Sequence, residues 1–280
     1  YIDETREKQL PIEIRETEAI FEQNLLDWRA AVAGTVTEKQ GRRKFELKSR
    51  VEKHFLSKED NPLSWRGEAY AHFDRINVAR LAKSADLQRF ISSGFGAARL
   101  WVAFDRGRIT SVTSDVALSH VRLPSRGDLE PLSLSRLRGR ISYASDAPGE
   151  HRLSAENLNF RLADGTRFGP SNLGFECTSG TNGSPRACSF TASEIRIGTL
   201  LDLAPSLPIP NDARRMLGKR DASGTFSQVR ASFNGDPKDP TNWAFNLGFR
   251  GLTLSPDESG GPSFRNLSGE LSTAGPGRFS

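Results

Sequence analysis

Apolar residues recur at every second position along most of this chain. The clearest run is Trp243-Ala-Phe-Asn-Leu-Gly-Phe249, where Trp243, Phe245, Leu247 and Phe249 alternate with small or polar residues. That period belongs to a strand with one face buried and the other wet. Val229, Ala231 and Phe233 repeat the pattern on the preceding segment, and Leu158, Phe160 and Leu162 repeat it farther back. Three short steps share one form, apolar-x-Gly-x-apolar: Trp65-Arg-Gly-Glu-Ala69, Leu137-Arg-Gly-Arg-Ile141 and Leu267-Ser-Gly-Glu-Leu271. A chain built of such pieces has a large one-sided apolar sheet to cover.

The alternation predicts three or four strands over residues 10–56 and further strands over 64–74, 99–105, 108–123, 137–143, 152–162, 173–177, 188–197, 224–233, 243–254 and 264–271. A hairpin turn is expected at Arg106-Gly107. Helical spacing appears in residues 77–91, with Asn77 as N-cap, and in two short pieces, 198–204 and 211–217, around the proline-rich break 205–210. The fold class is therefore mostly β: mainly antiparallel strands, with a few short helices at bends or edges. Two segments are expected, residues 1–90 ending in a helix and residues 91–280 continuing the strands with two short helices near 198–218.

Composition narrows the function. Of 280 residues only 36% are apolar, and 17 Phe against one Met suit strand faces better than a packed helical core. The net charge of +5 comes from 39 basic and 34 acidic residues that alternate, as in residues 42–53, and so read as solvated strand faces. No groove-reading or RNA-binding motif accompanies them, which argues against nucleic acid. No stretch of about 18 apolar residues exists to span a bilayer. The start at Tyr1 and the stop just after a Gly-Pro-Gly turn read as an interior piece of a longer protein.

Catalytic chemistry has little footing. His54, His72, His120 and His151 are scattered without metal-ligand spacing, no nucleophile elbow occurs, and Gly94-Phe-Gly96 lacks the third glycine of a dinucleotide loop. No cofactor or metal is expected. Cys177 and Cys188 flank a turn-rich segment; either they face each other across a hairpin as a disulfide or they are two small buried residues.

From Trp65 onward the order of landmarks resembles the AsmA-like, YhdP-type proteins of Gram-negative bacteria. The landmarks are Trp65-Arg-Gly-Glu, Arg99-Leu-Trp-Val, Leu137-Arg-Gly-Arg-Ile-Ser-Tyr143, Leu158-Asn-Phe-Arg-Leu-Ala-Asp-Gly165, Leu207-Pro-Ile-Pro210, Ser223-Gly-Thr-Phe226, residues 243–254 and Phe264-Arg-Asn-Leu-Ser-Gly-Glu-Leu271. Residues 1–60 match in texture only. The resemblance implies an inner-membrane-anchored protein whose periplasmic portion is a long, curved β-sheet forming an open groove, a bridge-like lipid-transfer protein that lets phospholipids reach the outer membrane. Its partners would be phospholipid acyl chains, with membranes contacted through regions outside this chain. The ten residues Trp243, Phe245, Leu247, Phe249, Val229, Ala231, Phe233, Leu158, Phe160 and Leu162 would line the groove. Two alternatives give the same alternation: a sandwich core, and a scaffold of the related TamB type that offers sheet edges to client strands.

Overall fold

The computed structural model describes residues 13–24, 27–38, 41–52, 65–79, 91–125, 127–180, 185–206, 222–235, 242–256 and 263–273. Thirteen strands follow one another in chain order: β1 (Glu13–Gln23), β2 (Asp27–Glu38), β3 (Gly41–Glu52), β4 (Arg66–Asn77), β5 (Ser93–Asp105), β6 (Arg108–Leu123) and β7 (Leu132–Ala144). Then come β8 (Glu150–Leu162), β9 (Arg167–Ser179), β10 (Pro185–Arg196), β11 (Ala222–Asn234), β12 (Trp243–Leu254) and β13 (Phe264–Ser272). Each is antiparallel to its neighbours in sequence, so the sheet is one meander with β1 and β13 as its edges. It closes into no barrel. At about 4.8 Å per strand it extends roughly 60 Å.

Register makes one face apolar along that whole length. One row runs Phe21, Ala30, Ser49, Ala69, Val102, Val112, Tyr143, Leu153, Phe175, Phe190, Ala231 and Phe245, each residue the direct cross-strand partner of the next. A second row, two residues along every strand, runs Ala19, Val32, Leu47, Ala71, Leu100, Ser114, Ile141, Ala155, Leu173, Ala192 and Val229. The opposite face carries charge in the intervening positions, for example Glu22, Arg29, Arg50 and Glu68 in one row.

Bulges hold the apolar residues to one face. On β8, Leu153 and Ala155 have odd numbers while Leu158, Phe160 and Leu162 have even ones. The register shifts between Ala155 and Leu158, where Asn157 takes φ 49°. An inserted residue resets the phase of the alternation and bends the strand. β6 does the same at His120 (φ 53°), passing from Leu118 to Val121, and β11 does so at Gln228 (φ 51°).

The apolar-x-Gly-x-apolar steps have a packing reason. A Cβ on Gly67 would lie 2.7 Å from Phe104 Cζ, and one on Gly269 would lie 3.1 Å from Phe249 Cζ. These two glycines make room for a ring from the adjacent strand to lie over their backbone, whereas a Cβ on Gly139 would meet the Leu158 backbone at 3.0 Å.

One short helix is described, α1 (Ile197–Leu203), followed by a 3-10 turn, Ala204–Ser206. Pro205 ends the helix because it lacks the amide proton a further turn needs. The helix has no side-chain N-cap, so packing holds it: Ile197, Leu203 and Ala204 are buried. Two hydrogen bonds pin the segment back across the sheet. Thr199 Oγ1 donates to the Arg167 carbonyl at 3.1 Å, and the Glu130 amide donates to the Pro205 carbonyl at 3.1 Å. Beneath it lies the core: Leu118, Val121, Leu134, Leu162, Phe168, Ala192, Ile195 and Leu203. Val78 and Ile91 pack against the same cluster.

At Asn77 the expected N-cap forms, its Oδ1 accepting from the Ala79 amide at 3.1 Å. The remainder of the helix expected over 77–91 and the whole of that expected over 211–217 lie outside the described residues.

Candidate functional site

The apolar face divides into two parts. At the α1 end, the helix packs on β10 and β11 and joins a buried cluster whose other members come from β6 to β10. Toward the opposite end, where Arg106-Gly107 joins β5 to β6, large apolar side chains remain exposed: Phe21, Trp28, Leu47, Ile109, Leu153, Phe175 and Phe245. Uncovered apolar surface of this extent marks an interaction face. It is the candidate site.

The ten residues expected to line the face fall on both parts. Trp243, Phe245, Leu247 and Phe249 share one face of β12. Phe245 is 36% exposed and sits in the first apolar row. Trp243 stacks on Phe245 with ring centroids 5.7 Å apart and meets Phe233 at 5.0 Å. Ala231 pairs with Phe245, Leu247 pairs with Leu271 on β13, and Phe249 pairs with Phe226. These flank open surface. Leu162, in contrast, is 6% exposed inside the core, and Leu158, Phe160 and Val229 pack against that core. Phe160 stacks on Phe168 at 4.6 Å.

The alternation alone left out Val102, Val112, Leu153, Phe175 and Phe190, although each belongs to the longest row. A signal was available in Leu153-Ser-Ala155 and Phe175-Glu-Cys177, which alternate before the bulges break the count.

Cys177 and Cys188 form a disulfide across the β9–β10 hairpin, with Cα atoms 4.2 Å apart. They share the apolar face with Phe175 and Phe190, two positions farther from α1.

The opposite face is a ladder of ion pairs. Arg140 donates to both Asp115 oxygens, at 2.6 and 3.0 Å, and so holds the Asp115 carboxyl below the usual carboxylate range. Asp27 is likewise held low, by the Asn24 amide at 2.7 Å first and then by Arg29 and Arg50. Arg152 bridges Glu176 at 2.9 Å and Asp146 at 3.2 Å. Apart from those of the buried Asp27, these pairs are exposed and each contributes little to stability; they keep that face wet.

Among the described residues no His, Cys, Asp or Glu group could hold a metal, and no helix is long and apolar enough to cross a membrane. Of the histidines, His72 lies 3.4 Å from Asp74 and His151 is within 3.0 Å of the Tyr143 hydroxyl. The site's resources are apolar area and shape.

Comparison with known proteins returned no match among curated proteins and none among solved structures. The family model described as YhdP protein matches residues 4–279, nearly the whole chain. With its thirteen-stranded open meander and one apolar face, this chain belongs to the YhdP family.

Proposed function

We propose that this chain is a periplasmic stretch of an inner-membrane-anchored envelope protein that conducts phospholipids toward the outer membrane along its apolar face, without chemistry. The observation that carries the reading is the row from Phe21 to Phe245, which crosses twelve strands in unbroken register with one polar side chain, Ser49, and one hydroxyl, on Tyr143. A lipid with about thirty chain methylenes resists leaving a bilayer by on the order of 20 kcal/mol, at about 0.8 kcal/mol per methylene. A continuous apolar strip removes most of that barrier, and the near absence of polar anchors along it avoids trapping any one lipid. The disulfide suits an oxidising compartment.

Within this reading the path runs along the uncovered part of the face. Phe245, Trp243, Ala231, Phe233 and Leu247 line it; Leu158, Phe160, Leu162 and Val229 support it from beneath α1. A second reading, a scaffold that offers an edge to client strands, draws on β13, whose side chains from Phe264 to Leu271 are all exposed.

Native mass spectrometry of the 280-residue chain purified from envelope membranes separates the two. The conduit predicts bound phospholipids of mixed headgroup that are lost when exposed Phe175 is changed to Asp. Phospholipid-free protein, or a captured β-strand protein at β13, would favour the scaffold.

A further inference from the structure

On the charged face, directly opposed residues mostly carry opposite signs: Glu22 faces Arg29, Arg50 faces Glu68, Asp115 faces Arg140 and Arg152 faces Glu176. Where two arginines do meet, Arg29 and Arg50, the buried Asp27 carboxylate serves both, at 3.0 and 3.4 Å. Near α1 that balance is lost. Arg136 on β7 directly opposes Arg161 on β8, and Arg161 directly opposes Arg167 on β9.

Three like charges side by side on one face of a sheet repel and work against its pairing. All three arginines are exposed, and among the described residues none of them makes an ion pair. Arg138, exposed opposite Asn159, adds a fourth positive charge on the same face. The nearest carboxylate in sequence, Asp164, is used in the β8–β9 turn, where it accepts from the Thr166 amide at 2.8 Å. The row therefore has no counter-charge of the kind that Asp27 gives Arg29 and Arg50.

Local structure fixes the row in place. Leu134 lies in the core and pairs with Leu162, and the register then shifts so that Arg136 pairs with Arg161. The inserted Ser135 moves Arg136 to the face opposite Leu134; without it the two would share the core side. Its hydroxyl donates to the Arg161 carbonyl at 3.2 Å, and the buried Thr199 of α1 donates to the Arg167 carbonyl at 3.1 Å. Two of the three arginines thus have backbones tied by side chains from outside the strand ladder. Arg136, Arg161 and Arg167 line one surface cavity of about 560 Å³, with Asn159 and the Gly169-Pro170 step beside them.

We propose that this cavity binds a phosphate group of two or more negative charges, a phosphomonoester or a diphosphate, across Arg136, Arg161 and Arg167. A guanidinium matches two phosphate oxygens with parallel N–H donors. Neighbouring strands lie about 4.8 Å apart, so three such forks reach one compact group of oxygens. A single carboxylate would balance one arginine of the three, whereas a multiply charged phosphate balances more of the row. The site lies on the face away from the lipid path and does not depend on that reading.

The test measures binding of inorganic pyrophosphate by calorimetry and of phosphatidic acid vesicles by cosedimentation, with phosphatidylcholine vesicles as blank. Both are applied to the 280-residue chain, to Arg161→Gln and to Arg152→Gln, whose guanidinium is tied to Glu176 and Asp146. Arg161→Gln is expected to weaken binding roughly tenfold, with the difference shrinking at 1 M salt, and Arg152→Gln to change it less than twofold. Pyrophosphate binding without vesicle recruitment assigns the site to a soluble phosphate; recruitment of phosphatidic acid vesicles assigns it to a headgroup. Binding of neither probe, or equal weakening by both variants, would overturn the site. Urea unfolding gives a second readout: Arg161→Gln relieves repulsion, so its midpoint is expected to hold or rise. A lowered midpoint would show Arg161 engaged within the fold and would also overturn the assignment.

Discussion

Replacing Ala231 by aspartate is expected to slow phospholipid transfer about 10- to 100-fold while leaving the sheet folded. Ala231 stands in the first apolar row between Phe190 and Phe245, half-buried and away from the core beneath α1. A carboxylate there keeps its water, so an acyl chain passing over it leaves the charge unsolvated or leaves several methylenes wet. Either penalty is about 1–3 kcal/mol or more, and the rows are traversed in series, so one barrier limits the whole flux. Ser232→Asp is the matched control: the same strand, one residue on, facing the charged side opposite Ser189 and Ala244. Transfer of a fluorescent phospholipid between vesicles checks the pair, and near-equal rates for the two variants would count against the apolar face as the path.

Leu162→Ala is expected to lower stability by about 2–5 kcal/mol, the range for removing a buried leucine from a core that relaxes only in part. Leu162 is 6% exposed and packs in the cluster with Leu134, Phe168 and Leu203, so its loss leaves a void beneath α1. The substitution separates supporting residues from path residues. Urea unfolding registers the loss, whereas Phe245→Ala, made at an exposed ring, shifts the midpoint far less. A small effect at Leu162 with a large one at Phe245 would reverse the assignment of covered and open halves.

How far the chain could be read in advance follows from the bulges. Where alternation is uninterrupted, as in Trp243 to Phe249, strand and face are written in the residue order, and the turn at Arg106-Gly107 is legible from its own two residues. Where a bulge inserts a residue, the phase flips. Leu153 and Leu158 then seem to face opposite ways although both lie on the apolar side. Register between strands is a second unread quantity, since it depends on cross-strand pairing that no local pattern encodes. The division into covered and open halves was the least legible. It depends on α1 folding back from β10 to reach Arg167 and Glu130, contacts distant in sequence. Hence Leu162 and Phe245, equivalent as alternating apolar residues, have different surroundings. The pairing of Cys177 with Cys188, left open by composition, follows from their direct opposition on β9 and β10.

The most direct measurement places a photo-crosslinking residue in cells at Phe245 or Leu247, on the apolar face of β12, and at Ala244 or Asn246, one residue away on the other face. Phospholipid adducts, identified by mass spectrometry, are expected at the first two positions and not at the second two. Equal labelling of both faces, or none at either, would contradict the apolar face as a lipid path.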